Sequence, residues 1–291
     1  MGELPLIVIA GPTASGKTSL AIDLALKFRG EIICADSRTI YRYMDIGTAK
    51  PSIDERKGIP HWGLDIVDPG QKYSASDFKS YANQKIAEIR SRGNVPFLVG
   101  GSGLYIDAVV LDYQFGAQPD VSLRDKLEEL DLTELHKICA EMGIELPENH
   151  KNRRYVIRCI ENNGKVLKRN TEPINNCIVV GISTDKVLLK ARIAKRAGVL
   201  IGDGLIGEVN FLAERFGWEN ESMKANVYPL ARRFINHEID KDEFAQLFNT
   251  ADWKLAKRQI TWFKRDKYIN WFNLDDAKEY LCSELARVDV T

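Results

Sequence analysis

The sequence has no apolar run long enough to cross a bilayer, since a spanning helix needs about 20 consecutive, mostly apolar residues. It has no paired-cysteine motif. Cys34, Cys139, Cys159, Cys177 and Cys282 are scattered without a C-x-x-C spacing, which argues against a zinc site and a disulfide framework and for reduced thiols, some of them in the core. Neither charge is in excess, with 41 Lys and Arg against 41 Asp and Glu, so the local distribution of charge, not its sum, must reveal any nucleic-acid partner. Internal repeats, low-complexity tracts and a flexible interdomain linker are missing. Leu6 already opens an apolar run, which leaves no room for a signal peptide, and it stands where a myristoylation motif wants Ser or Thr. We therefore expect a cytoplasmic monomer without a membrane partner. The 291 residues are 44% hydrophobic, enough to bury a full core in one or two domains.

What is present begins with Gly11 to Thr18, GPTASGKT, which fits the phosphate-loop spacing of Gly, four residues, Gly, Lys and Ser or Thr. Leu6 to Ala10 (LIVIA) reads as a buried parallel strand. Leu20, Leu24 and Phe28 then share one helical stripe. Strand, glycine loop and helix are what phosphate binding needs. Backbone N–H groups of Gly11, Pro12-flanking Thr13, Ala14, Ser15 and Gly16 wrap the anion, the helix start adds partial positive charge, Lys17 adds a full charge and Thr18 offers a hydroxyl to Mg²⁺. The loop holds a di- or triphosphate without saying what becomes of it, and ATP binding stays open.

Glu31 to Ala35 (EIICA) is a second buried strand, ending in Asp36-Ser37. A carboxylate at that edge of an open α/β sheet lies where ligands bind. Three roles compete for Asp36: holding Mg²⁺ through water, acting as general base, or capping the next segment. Arg38 to Pro51 is a long aperiodic loop rich in Arg, Tyr and Lys, which suits a surface that stacks on nucleic acid. Ser76-Asp77 reads as the start of a helix running from Phe78 to Arg92, and Asn94 to Val99 as the next strand, leading into a second glycine loop, GGSGLY, with the Ser102 hydroxyl.

Asp120 to Glu148 is acidic and helical and closes at Gly143; it reads as a lid or accessory helix. His150 to Asn170 reverses the charge, with seven Lys and Arg against Glu161, and is either a solvated basic face or a phosphate-backbone footprint. Cys177 to Ile182 is a strand, Lys186 to Ala197 an acid-free helix, and about 200 to 251 a helical insert. Near the end, basic residues bracket Trp262-Phe263, which either stack on RNA or pack on the core. The expected layout is α/β: a P-loop kinase-like core with a parallel sheet flanked by helices (1–112 with 150–197 and about 255–291), a lid at 113–149, and a helical insert at 198–254.

The block DSRTIYRYMDIGTAKP (36–51) resembles the tRNA dimethylallyltransferase, or tRNA isopentenyltransferase, family. So do His61 to Ile66, Tyr73 to Phe78, Pro96 to Tyr105 and Ala256 to Phe263, in that order. The resemblance implies transfer of a dimethylallyl group from dimethylallyl diphosphate to N6 of the adenosine 3′ to the anticodon. It implies Asp36 as base, Ser102 and Lys17 as further catalytic groups, Mg²⁺ on Thr18, contacts of Asp36, Ser37, Arg38, Thr39, Ser102, Arg124, Arg154, Tyr155, Val156, Ile157 and Arg158 with the tRNA anticodon stem-loop, and a tRNA contact by the 198–254 insert. The chain departs from the family's pattern in three places. Ser102 replaces a Thr, Asn226-Val227-Tyr228 replaces Ile-Gly-Tyr, and Asp252-Trp253 replaces a Thr-Arg pair whose Arg helps hold the diphosphate. Arg232, Arg233 or Lys254 would have to substitute. A small-molecule kinase on the same core, or an RNA-binding protein without chemistry, is the competing reading.

Overall fold

The computed structural model describes residues 3–116, 120–165, 168–202, 204–224 and 227–288. Its contacts divide the chain into two compact units, Leu111–Thr171 and the remainder.

The larger unit is built on a parallel sheet of β1 (Leu6–Ala10), β2 (Gly30–Ala35), β3 (His61–Trp62), β4 (Val95–Gly100), β5 (Cys177–Ile182) and β6 (Asn270–Phe272), ordered β3-β2-β4-β1-β5-β6. Every residue of β1, β2 and β4 is buried, as continuous apolar runs require when helices cover both sheet faces. After β1 the chain turns toward β2, and after β4 it returns to the other side of β1 to form β5. That reversal makes a crevice at the carboxyl ends of β1 and β4. The register is level there: Ala35 pairs with Gly100, Gly100 with Ala10, and Ala10 with Gly181. Gly11, Asp36 and Gly101, each one residue further on, therefore leave the sheet from a single row.

The helices of this unit are α1 (Lys17–Lys27), α2 (Ala75–Ser91), α3 (Gly103–Val110), α7 (Lys186–Gly202), α8 (Leu205–Phe216), α9 (Tyr228–Ile235), α10 (Lys241–Phe263) and α11 (Leu274–Ala286). Helix α2 starts earlier than Ser76-Asp77 suggests. Ser74 is its cap, taking the Asp77 N–H while Asp77 takes the Ser74 N–H, a reciprocal pair that satisfies two otherwise orphaned donors. Helix α7 runs five residues beyond the expected Ala197.

The 38–51 segment has no helix or strand, as expected, but it is not a plain surface loop. Ile40, Tyr41, Met44 and Lys50 are buried. Residues 39–42 bond along the chain after β3, with Asp65 N–H to Thr39 O, Ile66 N–H to Ile40 O, and Arg42 N–H to Val67 O. The Lys50 ammonium reaches inward to Asp45, Asp65 and the Tyr41 carbonyl at 2.5, 2.7 and 2.9 Å, the pairing that a buried charge needs.

The smaller unit holds α4 (Val121–Glu129), α5 (Leu132–Glu141) and α6 (Arg153–Glu161) around a core that includes Leu127, Leu135, Cys139, Val156 and Ile160. Asp120 and Asp131 cap α4 and α5. These units are drawn differently from the expected boundaries. The basic helix α6 groups with the acidic helices, because its apolar face is what their faces bury against, and α10 continues unbroken across residue 254. Residues 117–119, within the expected lid, and Asn226 lie outside the described residues.

Candidate active site

The phosphate loop alternates handedness. Ala14 and Gly16 have φ of +59° and +91°, which turns successive N–H groups toward one concavity. Because α1 begins at Lys17, the N–H groups of its first turn have no partner within the helix and face any bound anion. Lys17 Nζ donates to the Pro12 carbonyl at 3.1 Å. Burial pushes its pKa down from 10.5 to about 8, Asp36 pulls it up, and Arg196 pushes it down further. The Ser15 hydroxyl is fully buried with no hydrogen-bond partner. Thr18 is half-buried in the first turn of α1.

Three side chains from distant sequence brace the loop. Gln259 Oε1 accepts the Thr13 N–H at 2.8 Å, Arg196 donates to Thr13 Oγ1 at 3.0 Å, and Arg192 donates to the Ser15 carbonyl at 3.1 Å. Asp252 Oδ2 lies 3.6 Å from Arg196. These arginines correct the expectation for the missing family Arg. Arg232 pairs with Glu219 and lies over Trp218. Arg233 pairs with Glu238 and Glu243. Lys254 lines a groove beside Trp253. Among the described residues, the cations at the phosphate loop are instead Lys17, Arg192 and Arg196, with the buried Asp252 carboxylate 3.6 Å from the last of them. The acid-free run of α7 was the signal. Sequence alone does not distinguish a basic helix in solvent from one folded onto a phosphate site.

Asp36 leaves the end of β2 beside this cluster. Its Oδ1 accepts the Arg38 N–H at 2.8 Å, an arrangement that fixes the carboxyl and tightens the turn. Ser102 Oγ accepts the Ser37 N–H at 2.9 Å, and its own N–H bonds Ala35 O. The hydroxyl thus ties the β4 loop to the β2 end and keeps its proton to donate. A Cβ on Gly101 would crowd Gln259 Nε2 and push aside the side chain that braces Thr13. GGSGLY is only partly a loop, since Gly103 already begins α3. Arg38 is half-buried, and Thr39 is buried with its hydroxyl unpartnered.

The remaining expected RNA contacts lie in the smaller unit. Arg154 and Tyr155 are exposed on α6, while Val156 and Ile157 are 0% and 4% exposed and face that unit's core. Their side chains belong to packing, not to a surface. Arg124 grips Glu161 through two bonds of 2.7 and 2.6 Å, and Arg158 adds a third at 3.1 Å. Near the end of α10, Phe263 is fully buried. Trp262 donates to Asp107 at 2.7 Å, with the Arg265 guanidinium 4.2 Å above its ring. Phe263 therefore packs in the core, while Trp262 is only half-buried. Burial, with Asp266 nearby, raises Asp107 to about 6.

Comparison with known proteins agrees with this geometry. The sequence profile described as IPP transferase matches residues 39–266. The tRNA dimethylallyltransferase of Bacillus mycoides strain KBAB4 is 37% identical, with 99% of this chain and 96% of that protein aligned. That of Carboxydothermus hydrogenoformans is 39% identical over 95% and 93%. The crystal structure of the full-length tRNA isopentenylpyrophosphate transferase of Bacillus halodurans superposes with a TM-score of 0.73 at 30% identity, covering 97% of each chain. With the phosphate loop, the level strand ends and near full-length relatives in agreement, the chain belongs to the IPP transferase family.

Proposed function

We propose that this protein transfers a dimethylallyl group from dimethylallyl diphosphate to N6 of the adenosine 3′ to the anticodon of tRNA. The observation that carries the reading is the single row formed by the ends of β1, β2 and β4. It sets a cationic phosphate cradle beside a carboxylate and a hydroxyl, as a diphosphate leaving group and a weakly nucleophilic amine require. The relatives' names supply the substrate class.

In the reaction the C1–O bond of the prenyl diphosphate breaks and its electron pair leaves with the diphosphate. A bond forms from N6 to C1, and the N6 proton passes to Asp36. Loop N–H groups, Lys17, Arg192 and Arg196 stabilise the charge that grows on the leaving oxygen. Ser102 orients the reacting amine by hydrogen bonding. The adenosine must leave its stack, at a cost of a few kcal/mol, and Arg38 and Thr39 at the β2 end position it. Arg154 and Tyr155, with Arg124 and Arg158, approach the RNA backbone from α6 and its neighbour.

Magnesium suits the site. Among the described residues no three His, Cys, Asp or Glu side chains gather as a metal cage. The Thr18 hydroxyl, with phosphate oxygens and water, is the oxygen-only donor set Mg²⁺ takes. When bound, the ion supplies charge neutralisation at the diphosphate.

The deciding experiment incubates unmodified tRNA with the protein, Mg²⁺ and dimethylallyl diphosphate and weighs the product by mass spectrometry, with an ATP control. We expect one dimethylallyl group on the adenosine next to the anticodon without ATP. No gain in mass would remove the transferase reading. The α6 surface is tested separately. Arg154→Ala is expected to weaken tRNA binding and to lower the slope of log affinity against log salt by about one unit, the signature of one lost phosphate contact. An unchanged slope in a salt titration would return Arg154 to the solvated face.

A further inference from the structure

Beyond its bonds to the chain after β3, the aperiodic 38–51 segment is held at residues 45–47 by a carboxylate from α8. Glu208, in the first turn of α8, accepts three consecutive backbone N–H groups of the segment. Oε2 takes Asp45 and Ile46 at 2.8 and 2.6 Å, and Oε1 takes Gly47 at 3.0 Å. Oε1 also accepts the Tyr228 hydroxyl at 2.9 Å. Tyr228 is 1% exposed. Burial first and the Glu208 charge second push its pKa up, so the phenol stays the donor. Gly47 lies so close to this pair that a Cβ on it would stand 2.7 Å from the Tyr228 ring and hydroxyl. The same helix holds the segment's Tyr43 through Phe211 and Phe216, at ring separations of 5.4 and 6.0 Å. Three neighbouring N–H groups in a segment without a ladder of its own otherwise need water or disorder to satisfy them.

We infer that Glu208 is a positioning residue for the RNA acceptor: it latches the segment whose first residues, Arg38 and Thr39, meet the nucleotide. This rests on the tRNA reading above. The phosphate loop has separate braces, Arg192, Arg196 and Gln259, and Asp36 is held at the strand end by its own turn. Releasing Glu208 therefore loosens acceptor binding and leaves diphosphate binding and the chemical step in place.

The test is a KM-against-kcat split on Glu208→Ala, with amide hydrogen exchange at residues 45–47 and the tRNA Kd measured in parallel. The expected result is faster exchange and a tRNA KM and Kd raised roughly tenfold or more, the cost of unmaking several bonds to one charged group. The KM for dimethylallyl diphosphate is expected within about twofold and kcat within about threefold of wild type, differences equivalent to at most a fraction of a kcal/mol. A folded variant with faster exchange and an unchanged tRNA KM and Kd overturns the latch, as does an equal loss for both substrates. If Glu208→Ala lacks a cooperative melt, Glu208→Gln and Tyr228→Phe carry the test. Each loosens the contact in part and should raise the tRNA Kd by roughly two- to fivefold, and no change in either overturns the proposal. A wild-type protein without transferase activity sinks the functional reading instead, while exchange and tRNA Kd still judge the latch.

Discussion

Asp36→Ala should cut turnover by roughly 10²–10⁴-fold, the span typical of a positioned general base, while tRNA binding stays near wild type. The carboxyl is fixed, not floating, because Oδ1 is engaged by the Arg38 N–H. A carboxylate has about four lone-pair sites, so capacity remains for the N6 proton. Alanine alone does not separate the three roles that the sequence leaves open. Asp36→Asn does. The amide oxygen still accepts the Arg38 N–H, so a residue needed only to shape the turn keeps its activity as Asn. A residue that holds Mg²⁺ through water loses activity as Asn, with a higher Mg²⁺ requirement. A base loses activity as Asn as severely as Ala, with the Mg²⁺ requirement unchanged, and that is the outcome expected. Asp36 also raises the Lys17 pKa, so diphosphate affinity must be measured in both variants. A slow variant with near-normal diphosphate affinity locates the defect in proton transfer. Near wild-type turnover in Asp36→Asn would end the base assignment.

What could be read from the sequence was what local spacing specifies. Gly11 to Thr18 names its own conformation, because a strand, a glycine turn and a Lys at the helix start are adjacent in the chain. The strand runs 6–10, 31–35, 94–99 and 177–182 are mostly apolar, and all four stand in the sheet within a residue. What escaped depends on residues far apart. Arg196 meets Thr13 across 183 positions and Gln259 meets it across 246. A basic helical stripe looks the same whether it faces water or a phosphate loop. Lys50 reads as one more surface cation until Asp65 closes on it from the chain after β3. The two- and three-residue strands β3 and β6 are too short to show a period, and their place comes from pairing with β2 and β5. Val156 and Ile157 fall within a motif carried over from the family. Such a motif marks a stretch of backbone and does not say which side chains in it turn inward.

Lys17 should show its position in the pH dependence of diphosphate binding. Burial lowers its pKa to about 8 in the free protein, whereas a bound dianion or trianion favours the ammonium and raises it again. Below pH 8 the free protein already carries the charge, and the Kd for inorganic diphosphate, taken relative to Lys17→Met so that the ligand's own protonation cancels, should be flat. Above pH 8 the ligand must draw a proton onto Lys17 as it binds, so the apparent Kd should rise by up to roughly tenfold per pH unit. Lys17→Met removes this dependence and should weaken binding at pH 7 by about 2–5 kcal/mol, the cost of deleting one partner of a buried ion pair. Stability should move the other way. A lysine whose pKa is lower in the folded than in the unfolded chain costs stability while charged, and the cost is relieved as pH rises from about 8 toward 10.5. Ligand-free Lys17→Met should therefore melt no lower than wild type at pH 7, and wild type should gain on it as the pH climbs through that window. Calorimetric titration and thermal melts across pH 7–10 read both effects. A Kd ratio to Lys17→Met that is flat across pH 8–10 would show that the Lys17 charge plays no part in holding the diphosphate. Weak binding without the stability gain would place the ammonium in water rather than in the crevice. Both effects together are what a site with strain built into it for function displays: the cationic cradle is unfavourable when empty and becomes favourable only when the leaving group is present.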